Sequence, residues 1–294
     1  PCLFPFLAET KSTLRMSHLD RRAFLAPGRK PKSSIPLLED QHLERLPALE
    51  EKLAARVAAP PDSGLAPYTG PWTRKEVIHL LNRALFGPVK ADVDYFVGKT
   101  MSAAVNEILY APFTPPPPPV NDYNNPDFTD PDVPFGQTFE NTPLNVSAEF
   151  WRVESTRAWW TRLMLDSGRS IREKMTLFWH NHLPVQFAEA FFGSMLYRYT
   201  KTLRANALGN FKTMMRDITL DPAMLIYLNG YLNSRTAPDE NYAREIQELF
   251  IIGKDLPQHF TEDDIKAAAR LLTGWKTDGF SHFFFANDHD TGDK

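Results

Sequence analysis

The chain has 294 residues, of which 43% are hydrophobic and 23% are charged, and its formal net charge is −3. This is an ordinary globular composition with enough apolar content for a sizeable core, and the charge gives no electrostatic case for binding nucleic acid or an anionic membrane. No apolar run approaches the roughly 18 residues of a transmembrane helix. The single cysteine, Cys2, excludes an internal disulfide framework and a thiolate metal cluster.

The N-terminal residues 1–38 are expected to form a disordered leader, because they show no sustained apolar periodicity. Within them, Arg21-Arg22 precedes Phe24-Leu25 as paired arginines do in twin-arginine export signals. Such a signal continues into an apolar stretch, whereas residues 26–32 are basic and broken by proline. An export signal and a plain basic leader both stay open, and the leader is favoured.

Residues 39–60 are predicted to form an isolated helix and a linker, since leucines recur at helical spacing up to a break at Pro60-Pro61. A helical domain is predicted from residue 72 to residue 294. Its first helix begins at the capping box of Thr73 and Glu76 and ends at Gly87-Pro88. Two short helices are predicted to follow, at 91–97 and 102–110.

Residues 111–144 differ in character from the sequence on either side. They contain five consecutive prolines at 115–119, a run that favours polyproline II and cannot join a helix. We interpret the segment as a proline-rich insertion that lies over the surface, with a plain linker as the alternative. Aromatic residues within it suggest that parts of it pack on the domain.

Helical spacing then continues for most of the remaining chain. Helices are predicted at 147–166, 170–182, 189–207, 210–217, 222–229, 239–252 and 261–273. Only residues 282–285 resemble a strand. The predicted fold is therefore all-α, a multi-helix globular domain with a disordered N-terminal tail and a proline-rich insertion.

Two histidines close the helix predicted at 170–182. On a continuous helix, His180 and His182 lie about 200° apart and cannot bind one metal ion. On extended backbone they would converge, and Pro184 disfavours helical geometry at Leu183. A ligand pair stays open, but one core histidine and one exposed histidine are favoured.

A second polar group lies on the helix that Asp239 is expected to cap. Its polar half consists of Glu240, Asn241, Arg244, Glu245 and Glu248. These carboxylates could bind a hard cation or act as acid and base. They could equally form i,i+4 ion pairs with Arg244 on a solvated face.

Two further stretches lie near the end of the sequence. Gly274, within Thr273-Gly274-Trp275, suits the residue that follows a helix C-terminus. His289 and Asp290 lie in a polar, glycine-containing stretch that is predicted to be a turn.

Five separated blocks, in this order, resemble the bacterial domain-of-unknown-function 1800 family over roughly residues 72–294. They are residues 80–88, 173–182, 237–250, 272–275 and 289–294. The resemblance implies no established reaction, substrate or cofactor. It implies longer relatives, so the chain is expected to be truncated at its C-terminus. It also implies frequent export, hence a periplasmic or extracellular location with the cytoplasm still open, and an exported protein partner.

We therefore hypothesise one polar site, and we leave open whether the protein is an enzyme. Its candidate residues are His180, His182, Glu240, Asn241, Arg244, Glu245, Glu248, His289 and Asp290. If a divalent metal binds, His182, Glu245 and Glu248 are the expected ligands. The predicted function is a binding or assembly factor for extracytoplasmic partners, and the alternative is a metal-assisted hydrolase acting on an extracytoplasmic polymer.

Overall fold

The computed structural model describes residues 67–123, 128–186, 190–253 and 260–293. The chain divides into two units, Pro1–Gly70 and Pro71–Lys294. Of the first unit only residues 67–70 are described, and they form neither helix nor strand. The predicted leader at 1–38 and the helix and linker predicted at 39–60 therefore lie outside the described residues.

The second unit is mostly helical, as predicted. Its described helices are α1 Arg74–Ala84, α2 Lys90–Val97, α3 Met101–Leu109, α4 Val146–Leu165, α5 Arg172–His182, α6 Gly193–Asn206, α7 Phe211–Thr219, α8 Pro222–Tyr227, α9 Glu240–Glu245 and α10 Glu262–Leu271. A π-helix, Ile246–Ile251, continues α9, and 3₁₀ turns occur at Gly230–Leu232 and Ala286–Asp288. No helix in the described ranges is both long enough and apolar enough to cross a bilayer.

The first three helices share a small core of their own. The predicted capping box begins α1: the Thr73 backbone N–H donates to Glu76 Oε2 at 3.0 Å, and the Thr73 side chain accepts from the first turn. This start orients one apolar side of α1 towards α2 and α3. The fully buried residues of this core include Val77, Leu81, Phe96, Ala104 and Ile108.

Helix α6 is central to the remaining helices, since α4, α5, α7 and α8 all pack against it. Its apolar side is fully buried and includes Met195, Leu196 and Leu203. It also buries Arg204, which donates two hydrogen bonds to Glu173 of α5. Because a buried charge needs a partner, this pair fixes how α5 lies on α6.

The described part of the proline-rich segment 111–144 packs against α4. Arg152 of α4 is buried and donates to Asp130 at 2.7 Å and to Glu149 at 2.9 Å. Burial alone would raise the pKa of Asp130, but hydrogen bonds from Arg152 and from the backbone leave this pKa lowered. Trp159 Nε1 donates to the carbonyl of Pro117 at 2.9 Å, so the segment is attached near its proline run as well as at Asp130.

A single small hairpin departs from the all-α prediction within the described residues. Strand β1, Trp275–Thr277, pairs antiparallel with β2, His282–Phe284, so the predicted strand at 282–285 is confirmed. Gly274 precedes β1 with φ +84°, and a Cβ there would lie 2.9 Å from the Phe285 carbonyl oxygen. Glycine is therefore required where α10 turns into the hairpin.

Candidate functional site

The two histidines of α5 lie in different environments because the helix continues through both of them. The His180 ring packs edge-on against Trp160, with 4.9 Å between centroids, and burial lowers its pKa. The His182 ring is directed to the π-helix, where its Nε2 lies 2.8 Å from the carbonyl oxygen of Phe250. The structure therefore separates the two rings, as expected for an i,i+2 pair on a helix.

An open groove of about 370 Å³ lies between the end of α5 and the π-helix. We call it the aromatic groove. Its lining residues are Phe178, Trp179, His182, Phe211, Leu249, Phe250, Ile251, Ile252 and Gly253. Three of these apolar side chains are about half exposed: Phe178 at 53%, Leu249 at 56% and Ile251 at 50%. Large apolar side chains exposed side by side are uncommon on a soluble protein unless they bind something.

The aromatic wall of the groove is held by specific contacts. Trp179 Nε1 donates to the Ala207 carbonyl at 3.0 Å, and its ring stacks on Phe211 with centroids 5.6 Å apart. The His182 ring contacts both neighbours, with centroids 6.0 Å from Trp179 and 6.3 Å from Phe211. The wall is therefore ordered by its own hydrogen bonds and ring packing.

The opposite wall is the π-helix, which the sequence did not predict. The helix predicted at 239–252 is α-helical only to Glu245 and then widens, so that Ile252 N–H donates to Gln247 O at 2.9 Å. The wider turn changes which side chains face inward: Phe250 is buried, whereas Leu249 is exposed. Short π-helical turns occur frequently at functional sites.

The polar half of α9 forms an ion-pair cluster around Arg244. Its guanidinium donates to Glu262 of α10 at 2.6 and 2.9 Å, to Glu240 at 3.3 Å and to Glu248 at 3.4 Å. The pKa of Arg244 is raised, chiefly by its hydrogen bond to Glu262, whose own pKa is lowered by the same contact. This geometry matches the i,i+4 pairing that the sequence left open as one alternative, and it adds Glu262 from a separate helix.

Asn241 and Glu245 stand apart from this cluster. The Asn241 amide donates to the Leu228 carbonyl at 3.3 Å, and its backbone N–H to the Asp239 carboxylate at 2.8 Å. Asp239 is therefore the predicted N-cap of α9. Glu245 is half-buried at the junction of α9 with the π-helix.

The predicted metal ligands are not brought together. Among residues with described positions, no three His, Cys, Asp or Glu side chains form a group that could hold a metal ion. The His182 ring contacts the π-helix at the Phe250 carbonyl, and the Glu248 carboxylate accepts a hydrogen bond from Arg244. The residues Glu245 and Glu248 lie on α9 and its π-helical continuation, which His182 contacts at Phe250. Together with His182 they do not form a set of metal ligands.

The turn at His289 and Asp290 belongs to a different neighbourhood, at the end of α10. Asp290 accepts two hydrogen bonds from Arg270, at 2.7 and 3.1 Å. Its backbone N–H donates to Thr273 Oγ1 at 2.8 Å, and His289 Nδ1 lies 2.8 Å from the Thr273 carbonyl. Sequence reasoning identified the turn but missed Arg270 as its partner. The only signal was a basic residue in the last turn of a helix.

The comparisons with known proteins identify one family. The model of a family described as a protein of unknown function (DUF1800) matches residues 79–294. No curated protein matches the chain, and no solved structure does.

Proposed function

The chain belongs to the DUF1800 family, and from that premise we propose that it is a noncatalytic binding factor for an exported partner protein. The partner inserts an apolar side chain of an exposed segment into the aromatic groove. The observation that carries the proposal is the half-exposed set of Phe178, Leu249 and Ile251 around one opening. Burying such side chains against a partner is favourable by about 25 cal/mol per Å² of apolar surface.

The size and lining of the groove favour an apolar side chain as its occupant. A volume of about 370 Å³ suits a leucine or an aromatic ring with the backbone next to it. Glu248, one residue before Leu249 of the groove, is directed to Arg244, which accounts for its charge without a ligand. His182 supplies a polar edge, and its Nε2 is already engaged by Phe250.

The groove also has the rigidity that binding needs. Trp179 is fixed by its hydrogen bond to Ala207 and its stacking on Phe211. A wall that is already ordered loses little conformational entropy when a partner binds. The groove is therefore suited to binding a partner without rearrangement of its aromatic side.

An exported partner and a location outside the cytoplasm are part of the same proposal. They are supported by the family resemblance and by Arg21-Arg22 in the sequence. We further infer that residues 111–144 are an insertion peculiar to this chain. The alternative function, metal-assisted hydrolysis of an extracytoplasmic polymer, stays a prediction.

The test is site-specific photo-crosslinking in the producing cell. A benzophenone amino acid replaces Leu249 at the groove, and in a matched control it replaces Leu165, an exposed leucine at the end of α4. We expect one exported protein to be crosslinked from position 249 and not from position 165, with its identity given by mass spectrometry. Equal crosslinking from both positions, or none from position 249, would contradict the proposal.

Binding of the purified partner then measures the contribution of the groove. We expect Leu249→Asp and Ile251→Asp to weaken binding at least tenfold, because each places a charge in an apolar interface. Leu165→Asp should leave the dissociation constant unchanged. Because all three side chains are exposed, none of the changes should unfold the protein.

A further inference from the structure

The outer edge of the β-hairpin presents backbone groups that are unpaired in the part of the chain that the structure describes. Phe285 N–H donates to Gly274 O at 2.8 Å, and Asp278 N–H donates to Ser281 O at 3.2 Å. In the antiparallel register, Lys276 faces Phe283, which is the hydrogen-bonded pair between these two. His282 and Phe284 belong to the pairs in between, which are not hydrogen-bonded to β1. The backbone N–H and C=O groups of His282 and Phe284 therefore point away from β1. Within the described residues, no strand pairs with this edge.

This edge lacks the features that usually protect an exposed strand. Natural edge strands carry charged residues, prolines or bulges that prevent pairing with another chain. Strand β2 consists of His282, Phe283 and Phe284, with Phe285 directly after it. The three phenylalanines are 42%, 46% and 46% exposed, in chain order. An uncharged aromatic edge of this kind favours pairing.

The edge is complementary to itself about a two-fold axis at Phe283. Two antiparallel copies of β2 in this register place His282 of each chain opposite Phe284 of the other. Since these residues carry the outward backbone groups, the two pairs exchange four hydrogen bonds. Phe283 then lies directly opposite its own copy in the closely spaced position. Each side of the new sheet gains aromatic cross-strand contacts.

We propose that the protein forms a two-fold symmetric homodimer by pairing of β2 with β2 of a second copy. The two hairpins join into one four-stranded sheet, which is more stable than two isolated pairs of three-residue strands. An extended backbone is the partner that matches alternating donors and acceptors. No charged side chain on β2 opposes the approach of an identical strand.

Sedimentation velocity over a wide range of protein concentrations tests the dimer. We expect the dimer fraction of the native chain to rise with concentration. Phe283→Lys and Phe283→Asp each place like charges across the axis and should raise the dissociation constant by about fivefold or more. Mixing the two variants should restore a dimer, because lysine then faces aspartate. This rescue also shows that both variants are folded.

Two further variants separate strand pairing from nonspecific association. His282→Pro removes an outward N–H and keeps the backbone hydrogen bonds to β1, whereas His282→Ala removes only the ring that packs on Trp275 of β1. His282→Pro should lower dimerisation as Phe283→Lys does, and more than His282→Ala. Leu165→Lys alters an exposed leucine elsewhere and should leave the dimer intact. A native chain that is monomeric at every concentration overturns the proposal. So does a dimer that is unaffected by changes at 282 and 283.

Discussion

Gly193 lies against the backbone of Arg152, so closely that a Cβ on this glycine would be 2.7 Å from the carbonyl carbon of Arg152. This contact is where α6 begins its crossing with α4. Glu149 strengthens it by accepting a hydrogen bond from the Gly193 N–H at 2.9 Å. Thr156 Oγ1 donates to the Gly193 carbonyl at 3.2 Å. The central helix is thus positioned by the absence of a side chain at its first residue.

Gly193→Ala should therefore destabilise the fold. The added methyl group meets backbone atoms, which cannot move aside as a flexible side chain can. We expect a loss of about 1–3 kcal/mol in the free energy of unfolding, measured by urea denaturation. Gly98→Ala is the matched control, because its Cβ would lie 3.6 Å from the nearest atom at an ordinary φ of −78°. Equal urea midpoints for the two variants would show that Gly193 does not lie tightly against the Arg152 backbone.

Local signals in the sequence were sufficient for most of the helices. Thr73 with Glu76, and Thr261 with Asp264, are capping boxes that begin α1 and α10 where predicted. Capping residues bond to backbone groups only a few residues away, so they can be recognised from a single sequence. The mostly helical fold followed from them and from the spacing of apolar residues.

The features that required the structure depend on residues distant in the sequence. Glu262 meets Arg244 only because α10 packs on α9, and Phe211 meets Trp179 only because α5 and α7 both pack on α6. The π-helix depends on the bond from Ile252 to Gln247, which a periodicity analysis based on 3.6 residues per turn does not detect. For this reason the aromatic groove was not foreseen, although His182 at its edge was.

Thr273→Val should measure how firmly the turn at His289 and Asp290 is attached. Thr273 is fully buried, and its hydroxyl donates to the Arg270 carbonyl at 2.7 Å while accepting from the Asp290 N–H at 2.8 Å. Valine keeps the shape but takes the acceptor away from the Asp290 N–H and removes the shorter hydrogen bond to the Arg270 carbonyl, which keeps the one from the Thr273 N–H at 3.3 Å. We expect a loss of about 1–3 kcal/mol in unfolding free energy. Thr213→Val, at an exposed site on α7, should have little effect. Similar losses at both positions would argue against a special role of Thr273.

Two arginines with similar partners should differ in their importance for stability. Arg204 is buried with Glu173, and Arg204→Met leaves that carboxylate without its main partner, which should cost about 3–5 kcal/mol. Arg244 pairs with three glutamates nearer the surface. Water screens its charges, so Arg244→Met should cost far less, and the loss should shrink further in high salt. Chemical denaturation at low and high salt distinguishes the two, and equal losses would contradict this assignment.

Asp221 should make stability depend on pH. It is buried at the N-cap of α8, accepting from the Ala223 N–H at 2.9 Å, and burial raises its pKa to about 7. In the unfolded chain, the Asp221 carboxyl releases its proton near pH 4. Between these values the folded state binds more protons, so its stability falls as pH rises, by about 4 kcal/mol at most. Asp221→Asn keeps the cap but cannot titrate. Its unfolding free energy relative to the native chain should therefore rise from pH 4 to pH 7, and a difference independent of pH would show that Asp221 is ionised throughout.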